Sequence, residues 1–380
     1  MTGAEHLVDG NRLRLLVEGR ERLAALLDLI GGARRSLRLL YYIFADDGSG
    51  QAVRDALIAA CGRGVSVHLI IDGFGSDPAR AFLQPLEAAG ADICEFIPRL
   101  GRRYLLRNHQ KLALADDAQV IIGGFNIEDS YFTDGAADSW RDLGLHLDGP
   151  AAARLTGYFD ALLGWTKRPR APMRELRRAL TSWSEPEGRV RWLLGGPTRR
   201  MSPWARTVRA DMFRARRVAL IAAYFAPSPT MLRRLDRTGR RGEARVITAG
   251  RSDNDTTIAA ARFTYPGLLR KGVRVFEYQP ARLHTKLYLI DDVVHLGSAN
   301  FDVRSLFLNM ELMLRIEDPG FAATLRDYFA GEQAASREWT LADFAGWSSW
   351  LARPRQALAY FLVAVVDYGV SRRLTGGGTD

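Results

Sequence analysis

Hydrophobic and polar positions follow two similar series along the chain. The first series predicts a strand, a helix and a strand in residues 36–44, 51–61 and 65–72. The same order recurs in residues 218–225, 229–239 and 245–248. Each series continues with a helix, a short strand (residues 92–97 and 273–278) and a strand that carries the tripeptide His-x-Lys. The sequence therefore predicts two copies of one α/β unit.

Several predicted strands are apolar at nearly every position. Residues 67–71, for example, read Val-His-Leu-Ile-Ile. Such strands are typical of the centre of a sheet covered by helices on both faces, whereas one-sided strands alternate apolar and polar residues. The predicted fold class is α/β, with two pseudo-symmetric lobes that are each an α-β-α sandwich.

The composition divides the chain into four segments. An N-terminal lobe (residues 1–165) and a C-terminal lobe (residues 191–335) each hold one copy of the repeat. Residues 166–190 are rich in proline, serine and charged residues, which is typical of a connector, and a helix is predicted around residues 174–180. Residues 336–380 form a separate C-terminal tail.

The C-terminal tail contains an apolar run, residues 357–366, that is too short to cross a bilayer. Two predictions are open for it. The run is a helix packed on the core, or it is an interfacial helix that docks on an anionic membrane surface. The second prediction rests on the flanking aromatic and basic residues, which are Trp347, Trp350, Arg353, Arg355, Arg372 and Arg373.

Composition narrows the class of protein. A hydrophobic content of 47% and a charged content of 25% exclude a disordered protein. The formal net charge of +10 favours anionic partners, which include nucleic acid, anionic lipid and phosphorylated small molecules. The two cysteines, Cys61 and Cys94, give no disulfide framework and favour a reducing compartment. The first residues predict neither a secretory signal nor an N-terminal membrane anchor.

The first copy of the repeat carries a polar motif. His109-x-Lys111 is followed by Asp116 and then by a pair of glycines that ends in Gly124, with Asn126 two residues later. Because side chains alternate along a strand, His109 and Lys111 project from the same face, about 7 Å apart. The glycines let the returning strand approach a ligand closely, and the turn brings Asn126 beside His109.

The second copy repeats these residue types. His284-x-Lys286 is followed by Asp291 and then by a glycine, Ser298 and Asn300, so that a serine replaces the second glycine. The stretch between the aspartate and the glycine is one residue shorter than in the first copy, which predicts a tighter hairpin. A lone His-x-Lys tripeptide would carry little information. Two matched copies indicate a shared catalytic site.

The residue types in both motifs suit a phosphate ligand. Lysines and asparagines that converge from two lobes would neutralise the non-bridging oxygens as charge builds in a transition state. Such a site is predicted to need neither a metal nor another cofactor. The predicted phosphate-binding residues are Asn126, Asn300, Gly124 and Ser298. The remaining histidines are predicted to be structural or surface residues, and they are His6, His68, His146 and His295.

The motif pair resembles the HKD signature of the phospholipase D superfamily, over about residues 36–314. The resemblance implies a phospholipase D fold with one active site between the lobes and a covalent phosphohistidine mechanism. His109 would attack phosphorus, and His284 would act as general acid and base. Asp142 and Glu311 would accept a hydrogen bond from the histidines and orient them.

The remaining motif residues complete this set. The catalytic motifs comprise His109, Lys111, Asp116, His284, Lys286 and Asp291. Within them, the two aspartates are predicted to brace strand ends and turns, because they lie at the turns that follow the His-x-Lys strands.

Flanking segments resemble the bacterial cardiolipin synthases of the short kind without N-terminal membrane spans. The matching segments are residues 41–44, 63–76, 140–142, 224–227, 250–253, 272–278 and 305–309. One departure is Leu40, where a carboxylate is expected before the aromatic pair. The resemblance implies transfer of a phosphatidyl group from one phosphatidylglycerol to another, with release of glycerol.

The same resemblance implies partners and a location. The expected partners are phospholipid substrates and an anionic membrane surface, with no obligate protein partner, at the cytoplasmic face of a bacterial inner membrane. Alternatives are a phospholipase D, another phosphatidyltransferase, or a phosphodiesterase acting on nucleic acid. Nucleic acid is disfavoured because the sequence shows no nucleic-acid-binding module, and a catalytically inactive scaffold is disfavoured because both motifs are intact.

Overall fold

Each half of the chain forms an eight-stranded mixed sheet in the computed structural model, which describes residues 5–76, 79–97, 106–168, 170–198, 201–345 and 347–366. The described strands of the first lobe are β1 (Glu5–Val8), β2 (Asn11–Leu16), β3 (Ser36–Tyr41), β4 (Ser66–Asp72), β5 (Asp92–Phe96), β6 (Leu112–Ala115), β7 (Gln119–Gly123), β8 (Trp140–Arg141) and β9 (Gly144–Asp148). Its helices are α1 (Gly19–Gly32), α2 (Gly48–Gly62), α3 (Ala79–Ala88), α4 (Asp129–Phe132), a 3₁₀ turn (Pro150–Ala152), α5 (Ala153–Thr166) and α6 (Met173–Ser182).

The second lobe is built in the same way. Its described strands are β10 (Val190–Gly195), β11 (Arg217–Ala222), β12 (Phe225–Ala226), β13 (Glu243–Ala249), β14 (Val273–Tyr278), β15 (Arg282–Leu283), β16 (Lys286–Ile290), β17 (Val293–Gly297), β18 (Phe301–Asp302), β19 (Glu311–Glu317) and β20 (Ser336–Trp339). Its helices are α7 (Pro203–Arg214), α8 (Pro229–Arg241), α9 (Asp255–Leu269), α10 (Val303–Phe307), α11 (Pro319–Ala334), a 3₁₀ turn (Leu341–Phe344), α12 (Trp347–Tyr360) and a π-helical turn (Phe361–Val366).

The two sheets repeat one strand order. Seven strands run in the order β2-β9-β7-β6-β3-β4-β5 in the first lobe and β10-β19-β17-β16-β11-β13-β14 in the second. In each sheet the last three of these strands are parallel and the others pair antiparallel. The eighth strands differ, since β1 extends the first sheet beyond β2 and β20 extends the second beyond β14. The predicted pair of pseudo-symmetric α/β lobes is confirmed.

A large apolar core joins the lobes. It unites one face of both sheets with α5, α6 and α11. On β6, Leu112 and Leu114 point into this core, whereas Ala113 and Ala115 face the outer core of the first lobe. A central strand buried on both faces is what the nearly continuous apolar pattern predicted. Each leucine buried in this way contributes roughly 1.5–3 kcal/mol.

The predicted connector, residues 166–190, is packed into this central core. It contains α6, whose Leu176 and Leu180 are fully buried. At its end, Val190 already belongs to β10, the first strand of the second sheet. The segment therefore helps to hold the lobes together as well as linking them along the chain.

The motif aspartates lie at the turns that follow β6 and β16. The carboxylate of Asp116 accepts backbone N–H groups from Arg34, Arg35 and Ser36 at 2.9, 2.7 and 2.9 Å. Asp291 accepts the N–H of Arg217 at 2.8 Å in the second lobe. Both aspartates therefore brace the start of the neighbouring parallel strand. The second hairpin is the tighter one, as predicted, because Ile290 pairs with Val293 whereas Ala115 pairs with Gln119.

The C-terminal helix α12 lies along α9. Ala359 and Ala364 are buried there, while Leu358, Phe361 and Leu362 are 59%, 51% and 47% exposed. The segment thus has one face packed on the protein and one exposed apolar face. Its docking on a membrane stays a prediction. Among the described helices, none has the length and apolar character needed to cross a bilayer.

The residues that flank this apolar run are only partly described. Arg353 and Arg355 are exposed on α12. For Trp347 and Trp350, the described structure gives the helical backbone alone, and Arg372 and Arg373 lie outside the described residues.

The bracing role of Asp116 is tested by Asp116→Ala. We expect the free energy of unfolding to fall by about 1–3 kcal/mol, because several backbone donors lose their acceptor. Burial opposes ionisation of Asp116, but its backbone hydrogen bonds outweigh that effect and hold its pKa below the usual value. The stabilisation is therefore present above the unfolded pKa of about 3.9 and is lost as pH falls through the lower folded pKa.

Urea unfolding at several pH values measures this difference, with Asp28→Ala on the exposed face of α1 as the matched control. Equal stability of the Asp116→Ala protein and wild type at pH 7 would contradict the bracing role.

Candidate active site

Each histidine of the motifs stands on a segment that pairs with the opposite lobe. The N–H of His109 donates to the carbonyl of Met310 (3.0 Å), and the N–H of Met310 donates to the carbonyl of Arg107 (2.9 Å). In the same way, the N–H of His284 donates to the carbonyl of Arg141 (2.8 Å), where β15 pairs in parallel with β8. Glu311 follows Met310 in the chain, and Asp142 follows Arg141. Each histidine therefore lies beside one of these two residues of the other lobe.

Those following residues are the two predicted carboxylates. Nδ1 of His109 lies 3.2 Å from Oε2 of Glu311, and Nδ1 of His284 lies 2.7 Å from Oδ2 of Asp142. Both carboxylate side chains are completely buried. A carboxylate can only accept, so it keeps the ring proton on Nδ1 and leaves the lone pair on Nε2. The structure thus pairs each histidine with the carboxylate of the opposite lobe, which the sequence did not reveal.

Both imidazole rings are neutral near pH 7. Burial is the main cause that lowers the pKa of His284 to about 3; the charge of Lys286 adds to it, and the opposing effect of Asp142 is smaller. Burial and the nearby Lys111 likewise lower the pKa of His109, against the opposing effect of Glu311. A neutral ring with a free Nε2 is the form of histidine that can attack an electrophile.

The two motif lysines lie beneath the histidines. Nζ of Lys111 donates to the carbonyl of His109 (2.8 Å), and Nζ of Lys286 donates to the carbonyl of His284. Burial is the main cause that lowers the pKa of Lys111 to about 7 and that of Lys286 to about 8. The charge on each ammonium is therefore easily changed by a ligand, because an anion nearby favours the charged form.

The motif asparagines lie on the wall of the cleft between the lobes. Oδ1 of Asn126 accepts the N–H of Ile43 (3.2 Å), and Oδ1 of Asn300 accepts the N–H of Tyr224 (3.4 Å). In each lobe, the residue that holds the asparagine lies two positions after the end of the first parallel strand. Nδ2 of Asn126 also donates to the hydroxyl of Tyr131 (3.2 Å). An amide nitrogen carries two N–H groups, so one N–H of Asn126 is left for a ligand.

Gly124 and Ser298 lie behind the carboxylates. A Cβ atom on Gly124 would stand 2.7 Å from both carboxylate oxygens of Asp142 and 3.0 Å from Cδ of Lys286. At the matching position, Oγ of Ser298 donates to Oε2 of Glu311 (2.5 Å). Both residues were predicted to bind phosphate. The structure places them against the carboxylates, and neither lines the cleft.

The cleft has a volume of about 480 Å³. His109 and His284 both line it, so the two motifs share one cavity. The other lining residues are Tyr42, Ile43, Phe74, Arg107, Asn126, Tyr131, Trp140, Tyr224, Asp253, Asn300, Asp302, Arg304 and Asn309. Most of these lay outside the predicted motif set, although Ile43 and Tyr224 occupy matching places in the repeat and could have been found by aligning the two copies.

Two aromatic residues cover His284. The ring centroids of Tyr131 and Trp140 lie 5.1 and 5.3 Å from that of His284, and the hydroxyl of Tyr131 lies 3.5 Å from Nε2. The side chain of His284 is only 5% exposed, compared with 14% for His109. The two histidines are therefore matched in their carboxylate contacts but differ in access to the cleft.

A buried arginine supports Asp142 from behind. Arg22 is 1% exposed, and its guanidinium donates at 2.7 Å to the carbonyls of Val17, Asp142 and Tyr131. It therefore fixes the backbone that carries Asp142 and Tyr131. Sequence reasoning missed this residue, because an arginine in an amphipathic helix is ordinarily a surface residue.

In the part of the chain that the structure describes, no three His, Cys, Asp or Glu side chains are grouped so as to hold a metal ion.

Comparison with known proteins shows the family of the chain. Residues 26–163 and 208–332 match a family described as "Cardiolipin synthase, PLD-like domain". The chain belongs to this family. It is 31% identical to cardiolipin synthase B of Escherichia coli K12 over 336 residues, covering 86% of this chain and 81% of that protein. It is also 31% identical to cardiolipin synthase 1 of Bacillus anthracis over 335 residues, covering 82% of this chain but only 64% of that longer protein.

A solved structure has the same fold. The phosphatidylserine synthase of Haemophilus influenzae superposes with a TM-score of 0.72 and covers 95% of each chain, at 14% sequence identity. This likeness supports the two-lobed fold of this member of the cardiolipin synthase, PLD-like family.

The contact between Gly124 and Asp142 can be tested with Gly124→Ala. We expect phosphodiester turnover to fall at least about 100-fold, because the new methyl group displaces the carboxylate that holds His284 and a misplacement of about 1 Å can cost that much. The control is Gly164→Ala in α5, where an added Cβ meets no atom within 4 Å. Equal activity of both variants would show that the position of Asp142 is unimportant.

Anion binding should take up protons. At pH 8 the lysines, with pKa values of about 7 and about 8, are partly deprotonated, and the histidines are neutral. An anion in the cleft raises all of these pKa values, so the protein gains protons on binding. Calorimetric titration with sulfate, in buffers of different ionisation enthalpy, measures the number. Lys286→Met should reduce the uptake, and a net release of protons would contradict the electrostatics described above.

Proposed function

We propose that the chain is a cardiolipin synthase that moves a phosphatidyl group from one phosphatidylglycerol to another through a phosphohistidine and releases glycerol. The observation that carries the proposal is the pair of neutral histidines in one cleft, each held by a buried carboxylate of the opposite lobe. Family membership supports phospholipids as the substrate class.

The first half-reaction forms the covalent intermediate. Nε2 of His109 attacks the phosphorus, a P–N bond forms, and the P–O bond to the leaving glycerol breaks. A proton from Nε2 of His284 passes to the leaving oxygen. Two features support this assignment of roles: the greater access of His109 to the cleft, and the resemblance of the motif pair to the HKD signature.

In the second half-reaction, the proton moves in the opposite direction, from the substrate to His284. A hydroxyl of the second phosphatidylglycerol loses its proton to His284, its oxygen attacks phosphorus, and the P–N bond breaks. Lys111, Lys286 and the amide groups of Asn126 and Asn300 stabilise the charge on the non-bridging oxygens. The bound phosphodiester itself raises the pKa of His284, which supplies the protonated form that the first half-reaction requires.

The proposed partners are phospholipids and an anionic membrane surface. The positive net charge and the exposed apolar face of α12 support peripheral attachment. We place the protein at the cytoplasmic face of a bacterial inner membrane, with no obligate protein partner.

The direct test is incubation of the purified full chain with radiolabelled phosphatidylglycerol in mixed micelles, with products separated by chromatography. We expect cardiolipin and free glycerol in equal amounts. Phosphatidic acid as the main product would make the protein a phospholipase D, since water would then be the acceptor. Cleavage of nucleic acid without any lipid product would replace the proposal with a nuclease.

The roles of the histidines can be separated by trapping the intermediate. With phosphatidylglycerol labelled in its phosphate and an alkaline quench, we expect label on His109 in wild type and its accumulation in His284→Ala, where protonation and the second half-reaction are slowed. His109→Ala should carry no label, and His6→Ala should behave as wild type. Label on His284 would reverse the assignment.

A further inference from the structure

The first lobe carries exposed apolar side chains at the mouth of the cleft. Phe74 lines the cleft and is 65% exposed, although it is a large aromatic residue. Ile97 is 39% exposed and packs against Gly73, the residue before Phe74, since a Cβ atom on Gly73 would stand 2.3 Å from Cγ1 of Ile97. Phe74 and Ile97 together form what we call the first rim.

The second lobe carries a similar edge. Leu358, Phe361 and Leu362, the exposed apolar residues at the end of α12 and in the turn after it, form the second rim. This segment is held to the cleft wall. The buried Ala359 and Ala364 share an apolar cluster with α10, at Val303, and the residues on either side of Val303 line the cleft.

The hydroxyl of Tyr360 strengthens this attachment. It donates to the carbonyl of Pro227 (2.8 Å), three residues beyond the cleft residue Tyr224. The ring of Tyr360 also packs against Phe263 of α9, with the centroids 5.2 Å apart. The segment that carries the second rim is therefore fixed to elements that form the cleft wall in the second lobe.

Arginines accompany both rims. The guanidinium of Arg107 lies 4.2 Å from the centroid of the Phe74 ring, and both Arg107 and Arg304 line the cleft. Arg353 and Arg355 are exposed on α12, before the second rim. Apolar side chains flanked by basic ones are the composition of surfaces that enter the boundary between headgroups and acyl chains.

We propose that the two rims dock together on the surface of a bilayer that contains anionic phospholipid, so that the mouth of the cleft opens onto the headgroups. This proposal rests on the proposed function, since a lipid whose phosphate reacts in the cleft must leave the bilayer at that point. A second copy of the chain is a poorer occupant, because it would bring like-charged arginines together, whereas anionic headgroups neutralise them.

The test compares vesicle binding by full-length variants. We use vesicles of phosphatidylglycerol and phosphatidylcholine in a sedimentation assay, with Phe361→Ser/Leu362→Ser for the second rim and Phe74→Ser for the first. We expect each variant to bind roughly tenfold or more weakly, because it loses apolar area that would enter the bilayer. Phe213→Ser is the matched control, since Phe213 on α7 is also exposed (42%) but contacts Arg234 and Arg237 away from the cleft.

The outcomes separate the rim proposal from the proposed function. The rim proposal alone is overturned if wild type converts phosphatidylglycerol but binds vesicles no more tightly than the two rim variants do. If wild type makes no cardiolipin, the proposed function is overturned instead. If Phe361→Ser/Leu362→Ser unfolds in a thermal melt, Leu358→Ser and Phe74→Ser decide the question. A dimer of wild type that dissociates in the rim variants, with unchanged vesicle binding, would assign the rims to self-association.

As a second readout, Phe361→Ser/Leu362→Ser should retain turnover of a dispersed short-chain phosphatidylglycerol and lose turnover of the same lipid in vesicles. Equal loss on both substrates would mean that the second rim supports the site itself rather than its access to the bilayer.

Discussion

Two buried carboxylates that cross from one lobe to the other organise the active site. Asp142 and Glu311 are completely buried, and each is hydrogen-bonded to the histidine of the opposite lobe. A buried carboxylate is costly unless it is paired and hydrogen-bonded. Because each pair crosses between the lobes, neither lobe alone can orient its own histidine. The large apolar core between the sheets holds the lobes at the spacing that these pairs require.

Two lysines and two carboxylates face one another in the site before any ligand enters. Lys111 and Lys286 lie opposite Asp142 and Glu311. Burial alone would raise the pKa of Asp142, but its contacts with His284 and Lys286 outweigh that effect and keep the pKa below its usual value. Burial lowers the pKa of both lysines into the neutral range. In the proposed reaction, their charge would therefore rise when a phosphodiester binds, and groups already in place would stabilise the charge that develops on its oxygens.

The two lobes share one strand order, but the side chains around their histidines differ. Asp142 packs against Gly124, where a side chain has no room, whereas the longer Glu311 is met by the hydroxyl of Ser298. His284 is further enclosed by two aromatic rings. Such differences allow two similar motifs to take different parts in one reaction, which is the basis for the separate roles proposed for the histidines.

The sequence predicted the features that depend on local pattern. The duplicated lobes, the buried central strands and the tighter hairpin after Asp291 all follow from periodicity and spacing along the chain. The crossed carboxylate pairs do not, because they join residues about 140 to 200 positions apart and depend on how the lobes face each other. Arg22 was missed for a related reason: its burial is decided by the segments around Asp142 and Tyr131, which lie far away in sequence.

The crossed pairs are tested most directly by nitrogen-15 NMR of the histidine side chains. In wild type, His109 and His284 should both carry the proton on Nδ1. Asp142→Asn should change the signals of His284 in the opposite lobe and leave those of His109 nearly unchanged, while Glu311→Gln should do the reverse. The crossed pairing is contradicted if the signals of both histidines stay as in wild type in each variant. It is also contradicted if each histidine responds only to the carboxylate of its own lobe.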